Sequence, residues 1–153
     1  MRAILAHLTL GLVTAIASST CQANLSEQDR RAEAQAMCET ITATQKAYGK
    51  EKTLTKANNP NGDFQKQGLH VFAYDAATLT LAHPNPDLVG KNLLDLNHEA
   101  AMLLKKEISR IGDNKDGNGW LNFSWANGSK TPDQVTSYIE RFDDVYWVCA
   151  FTQ

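Results

Sequence analysis

The chain is poor in the residue patterns that assemble reaction chemistry. Its four histidines are scattered, with no spacing that would gather them on one metal ion. No Gly-x-Ser-x-Gly, Ser-x-x-Lys, His-Glu-x-x-His or phosphate-loop pattern occurs. The cysteines lie far apart and have no histidine companion, which leaves a thiol hydrolase without support. The run from Asp113 to Asn118 has the outline of a calcium loop, but Lys115 stands at a ligand position and no Glu follows at the twelfth place, so a helix-to-strand turn is the simpler reading. No enzymatic activity, metal or cofactor is therefore expected. Positive charge is not in excess either: 15 Lys and Arg stand against 17 Asp and Glu, a formal net charge of −2, which is no footprint for nucleic acid.

Long apolar runs are equally scarce. One stretch, Ile4 to Ala17, carries no charge; it follows Arg2 and precedes Cys21-Gln22-Ala23, with small residues where a signal peptidase requires them. It is too short, and too soon followed by polar sequence, for a convincing membrane span. Residues 1–23 are read as a cleaved secretory signal, leaving about 130 residues from Asn24 in the periplasm or outside the cell. Arg2 is the signal's one charge, so the mature chain has 14 basic and 17 acidic side chains. A lipid anchor at Cys21 is the competing outcome. The preceding Ser18-Ser19-Thr20 lacks the leucine-like residue such sites open with, which argues against it. Cleavage after Ala17 is the other alternative.

Cleavage after Ala23 leaves two cysteines, Cys38 and Cys149. An oxidising compartment makes their pairing the natural expectation, with two buried thiols as the alternative.

What is present, at 42% hydrophobic and 21% charged residues over 153 positions, is material for one globular domain with a real core. From Ser26 to Ala57 there is no proline and one glycine, Gly49. Ser26 is an N-cap candidate, and Met37, Ile41, Thr44 and Tyr48 recur at helical spacing, so the pattern predicts one long helix. A turn-rich loop follows at 58–63. Leu69 to Tyr74 and Leu79 to His83 read as a hairpin, which Pro84 and Pro86 stop. Glu99 to Ile111 reads as a second helix ended by Gly112. Trp120 to Trp125, Val135 to Phe142 and Val145 to Phe151 read as three more strands, divided by Asn127-Gly128 and Asp143-Asp144. This order supports an α+β class without fixing a topology. Strand alternation adds a division of faces: if Cys149 faces the first helix, so do Val145, Trp147 and Phe151, while Tyr146, Val148 and Ala150 face away.

The segment from Ala82-His83-Pro84-Asn85-Pro86 through Leu88-Val89-Gly90-Lys91-Asn92-Leu93 resembles the corresponding stretch of the Cache domains, PAS-like extracytoplasmic sensor modules of bacteria. The resemblance extends through Leu69 to Asp75, Gly119 to Trp125, Ser137 to Arg141 and Tyr146 to Val148. It implies a single Cache domain over residues 64–153, preceded by a helix and loop over 24–63. The long helix would pack on a five-stranded antiparallel sheet of order 2-1-5-4-3, with the second helix in the β2–β3 crossover.

It also implies a small-molecule ligand, a short carboxylate by preference, held on the sheet face away from the first helix. The residues that match are His83, Phe72, Tyr74, Trp120, Tyr138, Tyr146 and Arg141. Ordinary readings stand beside them: a turn-capping His83, a half-buried aromatic strand face and a surface Arg141. Strand alternation sets Arg141 opposite Tyr138, which lowers its claim. Three positions depart from the family pattern: His70 and Phe123 where Tyr is usual, and Val135 where Lys is frequent. These departures put the carboxylate in question and leave room for an interaction module with a degenerate pocket. Because the chain ends at Gln153, just after the last strand, the expectation is a free-standing secreted domain that acts through a separate membrane sensor or chemoreceptor.

Overall fold

Ser26 opens the first helix, α1 (Glu27–Tyr48), with reciprocal caps: its hydroxyl accepts from the Asp29 N–H, and the Asp29 carboxylate accepts from the Ser26 N–H. The computed structural model describes residues 25–66, 68–95, 98–125 and 133–152. The expected signal segment, with Cys21, and the Asn127-Gly128 turn lie outside the described residues.

The single helix expected from Ser26 to Ala57 is two. Gly49 has φ +86°, incompatible with a continuous helix, and separates α1 from α2 (Lys50–Ala57). The buried stripe of α1 is also rotated from the expected one. It consists of Ala34, Cys38, Ile41, Thr42 and Gln45, while Tyr48 is 63% exposed. The rotation follows from two buried polar residues that find partners across the interface. Gln45 Oε1 accepts from Trp147 Nε1 at 2.8 Å, and Thr42 Oγ1 donates to Glu140 Oε1 at 2.9 Å.

Five strands follow: β1 (His70–Asp75), β2 (Thr80–Ala82), β3 (Asn118–Trp125), β4 (Asp133–Phe142) and β5 (Val145–Thr152). All neighbours are antiparallel, and the order is β2-β1-β5-β4-β3, as the resemblance implies. The third helix, α3 (His98–Gly112), lies in the crossover from β2 to β3.

The sheet separates two cores. On one face Val145, Trp147, Cys149 and Phe151 pack with Ala34, Cys38 and Ile41 of α1. On the other, Tyr146 and Val148 pack with Ala101, Ile108 and Ile111 of α3. The division of β5 into two faces therefore stands as alternation requires. Met102 and Leu103 of α3 are exposed, at 49% and 61%. Cys38 and Cys149 are both buried and unbridged, with their sulfurs 2.6 Å apart.

Candidate functional site

Between β2 and α3 the chain covers the free edge of the sheet before crossing it. Gly90 N–H donates to Thr80 O at 2.8 Å, Thr80 N–H to Lys91 O at 2.9 Å, and Leu93 N–H to Thr78 O at 2.9 Å. Thr78, held at φ +67°, adds a side-chain bond to Asn92 Oδ1 at 2.8 Å. Pro86 starts a short 3-10 turn (Pro86–Leu88) capped by the Asn85 side chain. The loop is thus built as a fixed wall.

It encloses a cavity of about 440 Å³. The floor is the sheet face turned away from α1: His70, Phe72 and Tyr74 from β1, Phe123 from β3, Val135 and Ser137 from β4, Val148 and Ala150 from β5. Leu88 and Leu93 of the loop and Leu104 and Ile108 of α3 close it over. His83, Pro84 and Asn85 of the loop, Thr80 of β2, Asp133, and Phe151 and Thr152 of β5 complete the lining. An apolar concavity of this size with few polar groups has the anatomy of a small-molecule site.

The polar groups divide by chemistry. Ser137 is fully buried, and its Oγ has no hydrogen-bond partner among the described residues. Burial pushes the Tyr74 hydroxyl up to about 12, so it remains a neutral phenol. His83 Nδ1 accepts from Asn85 N–H at 2.9 Å, which leaves the neutral ring its proton on Nε2. Its ring meets Phe72 edge-on at 4.9 Å, and burial, with His70 adding to it, holds its pKa below the ordinary imidazole value. Neither Lys nor Arg is among the described lining residues, and Asp133 already engages another group.

Of the residues expected to meet a ligand, the structure brings Phe72, Tyr74 and His83 together on this cavity. It sends Trp120 and Tyr138 to the opposite face. Their rings meet edge-on at 5.0 Å in the core beneath α1, where Arg31 lies over the Trp120 ring at 4.8 Å. The reason is register: Tyr138 pairs with Cys149, and directly opposed antiparallel residues share a face.

Tyr146 and Arg141 occupy the α3 side but lie outside the cavity, at the C-terminal end of that helix. Tyr146 OH donates to Asp113 Oδ1 at 2.8 Å, Arg141 pairs with the same carboxylate, and the Arg141 guanidinium sits 5.2 Å from the Tyr146 ring centre. Arg141 is spent as a structural tie. Ser137, the buried floor hydroxyl, is not among the ligand residues that the family resemblance implies. The two-residue turn at Asp143-Asp144 carried the signal, because it pairs Ser137 with Ala150.

The sequence matches the Cache domain family over residues 17–152, nearly the whole chain, and the chain belongs to that family. Its fold is similar to that of a methyl-accepting chemotaxis protein from Vibrio parahaemolyticus, with a TM-score of 0.60 and 23% identity over 82% of this chain and 89% of the other. It is also similar to a periplasmic sensor domain of a chemotaxis protein, with a TM-score of 0.56 and 18% identity over 82% and 93%. A third similar structure is a Cache chemosensory domain described for carboxylic acid recognition, with a TM-score of 0.54 and 17% identity over 84% and 99%. No curated protein sequence matches the chain. Among the described residues no helix is long and apolar enough to cross a membrane.

Proposed function

We propose that the protein is an extracytoplasmic sensor module that binds a small molecule in the cavity between the β1-β5-β4 face and the His83 loop. Its occupied state is passed to a separate signalling partner, such as a membrane chemoreceptor. The observation that carries the reading is the cavity of about 440 Å³ with the Ser137 hydroxyl, unpartnered among the described residues, on its floor. Protein interiors are close-packed, and a buried hydroxyl without a partner costs stability. A ligand that fills the space and bonds that hydroxyl offsets both.

The family supports the class of function, and one similar structure is described for carboxylic acid recognition. A short carboxylate is the ligand the family resemblance favours. The described lining lacks the Lys or Arg that would neutralise one.

A thermal-shift screen of the mature protein against small acids, amides, ketones and amines tests the reading. A ligand present at 100 times its dissociation constant raises stability by about 2.7 kcal/mol. The shift should vanish in Ala150→Phe, which fills the floor. Ligands whose shifts survive that substitution bind elsewhere. Met102 and Leu103, exposed together on α3, give the interaction-module reading its support, and a screen without any shift favours it.

A further inference from the structure

Resting on the cavity reading above, we propose that the ligand is an uncharged, predominantly apolar molecule bearing a hydrogen-bond acceptor, and that Ser137 is the donor that anchors it. The placement of Ser137 is the starting point. It sits mid-strand in β4, opposite Ala150 on one side and Leu121 on the other, so a small residue and an apolar one flank it within the sheet. Ser137 is 0% exposed and lines the cavity, yet its hydroxyl has no partner among the described residues. Buried hydroxyls are ordinarily bonded. One left open on a cavity floor is satisfied by whatever the cavity takes.

The walls then choose the class. An ionised carboxylate entering this space must shed its hydration, which is recovered only against a countercharge or a full set of donors. Among the described lining residues there is no Lys or Arg to supply that countercharge. His83 and Tyr74 are neutral hydrogen-bonding groups, and Phe72, Leu104, Ile108 and Val148 offer apolar contact. An amide or ketone carbonyl accepts from Ser137 without a charge to bury, and its hydrocarbon remainder gains from the walls.

Calorimetry at pH 7.5 on the mature protein, with hexanamide, 2-heptanone, hexanoate and hexylamine as probes, tests the class. The neutral pair should bind at least tenfold tighter than either charged probe. Ser137→Ala should weaken hexanamide about fivefold, the ratio expected for one hydrogen bond of ordinary strength, while the melting temperature does not fall. Ala150→Phe, with Val135→Trp as a second filling variant, should abolish binding of every probe in protein that still melts cooperatively.

Hexanoate binding tighter than hexanamide, and lost in the filled variants, would overturn the neutral-ligand class while leaving the cavity as the site. Binding that persists in a folded filled variant would overturn the cavity reading itself. Absence of binding by both neutral probes up to their solubility limits would overturn the class, and an unchanged hexanamide affinity in Ser137→Ala would remove Ser137 as the anchor.

Discussion

Tyr138 and Cys149 stand directly opposite each other across β4 and β5, and the Cys38 sulfur reaches both, 3.6 Å from the Tyr138 carbonyl oxygen and 2.6 Å from the Cys149 sulfur. That contact ties α1 to the centre of the sheet. It also decides the fate of Tyr138: a residue paired with a helix-facing cysteine belongs to the α1 core and cannot reach the cavity.

The same proximity predicts a disulfide in exported protein. Closing a loop of this length, 111 positions apart in sequence, is worth about 4–5 kcal/mol by chain entropy. Burial pushes the Cys38 thiol well up, so exchange is suppressed once the fold is complete and the bond should close during folding. Non-reducing mass spectrometry should recover the Cys38–Cys149 peptide pair from periplasmic material. Two free thiols there would refute it.

Gly112 ends α3 where a side chain has no room. A Cβ at this position would lie 2.6 Å from the Tyr146 ring, whose hydroxyl is held by Asp113. Gly112→Ala should cost about 1–3 kcal/mol in denaturant unfolding, the range for overpacking. Tyr146→Leu in the same background should recover part of the loss. An unchanged midpoint in Gly112→Ala would mean the ring is free to swing aside.

His83 should titrate below the ordinary imidazole pKa of about 6.5, because burial disfavours its charged form. A pKa lower in the folded state means that the unfolded chain binds the proton first. The stability contributed by neutral His83 is thus complete above about pH 6.5 and declines as pH falls through that value. An NMR titration should place the midpoint below 6.5, and His83→Asn should flatten this part of the stability profile. A midpoint above 6.5 contradicts the buried placement.

Glu140 carries the opposite sign. Burial first, then the nearby Glu39, raises its pKa against the Thr42 hydrogen bond, and its Oε2 has no partner among the described residues. A carboxyl raised in the folded state favours the fold while protonated, and that benefit is lost as pH rises past its ordinary value. Glu140→Gln should therefore stabilise the protein more at pH 8 than at pH 4. Thermal melts at the two pH values check this, and an equal effect at both would show that the charge is not the cause.

Ligand measurements should separate His83 from Tyr138. For a probe held in the cavity, His83→Ala should weaken binding by about 1–3 kcal/mol if its Nε2–H donates to a buried acceptor. Tyr138→Phe, on the far face of the sheet, should leave affinity unchanged. Calorimetry that finds the reverse would move the site to the α1 side.

Much of this architecture was legible in local pattern. The hairpin ending at Pro84 and the three final strands follow from residues whose conformational limits act within a few positions. The two-residue Asp143-Asp144 turn, with Asp143 at φ +54°, fixes the β4–β5 register, so the facing of Ser137 and Tyr138 was in principle readable. The motif alone puts Tyr138 at the ligand, whereas the register pairs it with Cys149 on the α1 side. Gly49 was visible, but its break of the helix was not, because glycine inside a helical pattern is only mildly unfavourable and a tertiary demand decides its φ.

The sequence by itself determined the elements, their alternating faces and, through the residues that resemble the Cache family, the sheet order. These are encoded by short-range sterics and periodicity. Only the tertiary structure decided that Arg141 is consumed by Asp113, that Ser137 is left without a partner, and that loop 83–95 and α3 roof the sheet into a cavity. Each of those depends on which side chains meet across long sequence distances, and no local rule fixes which polar group a distant partner satisfies and which it leaves open.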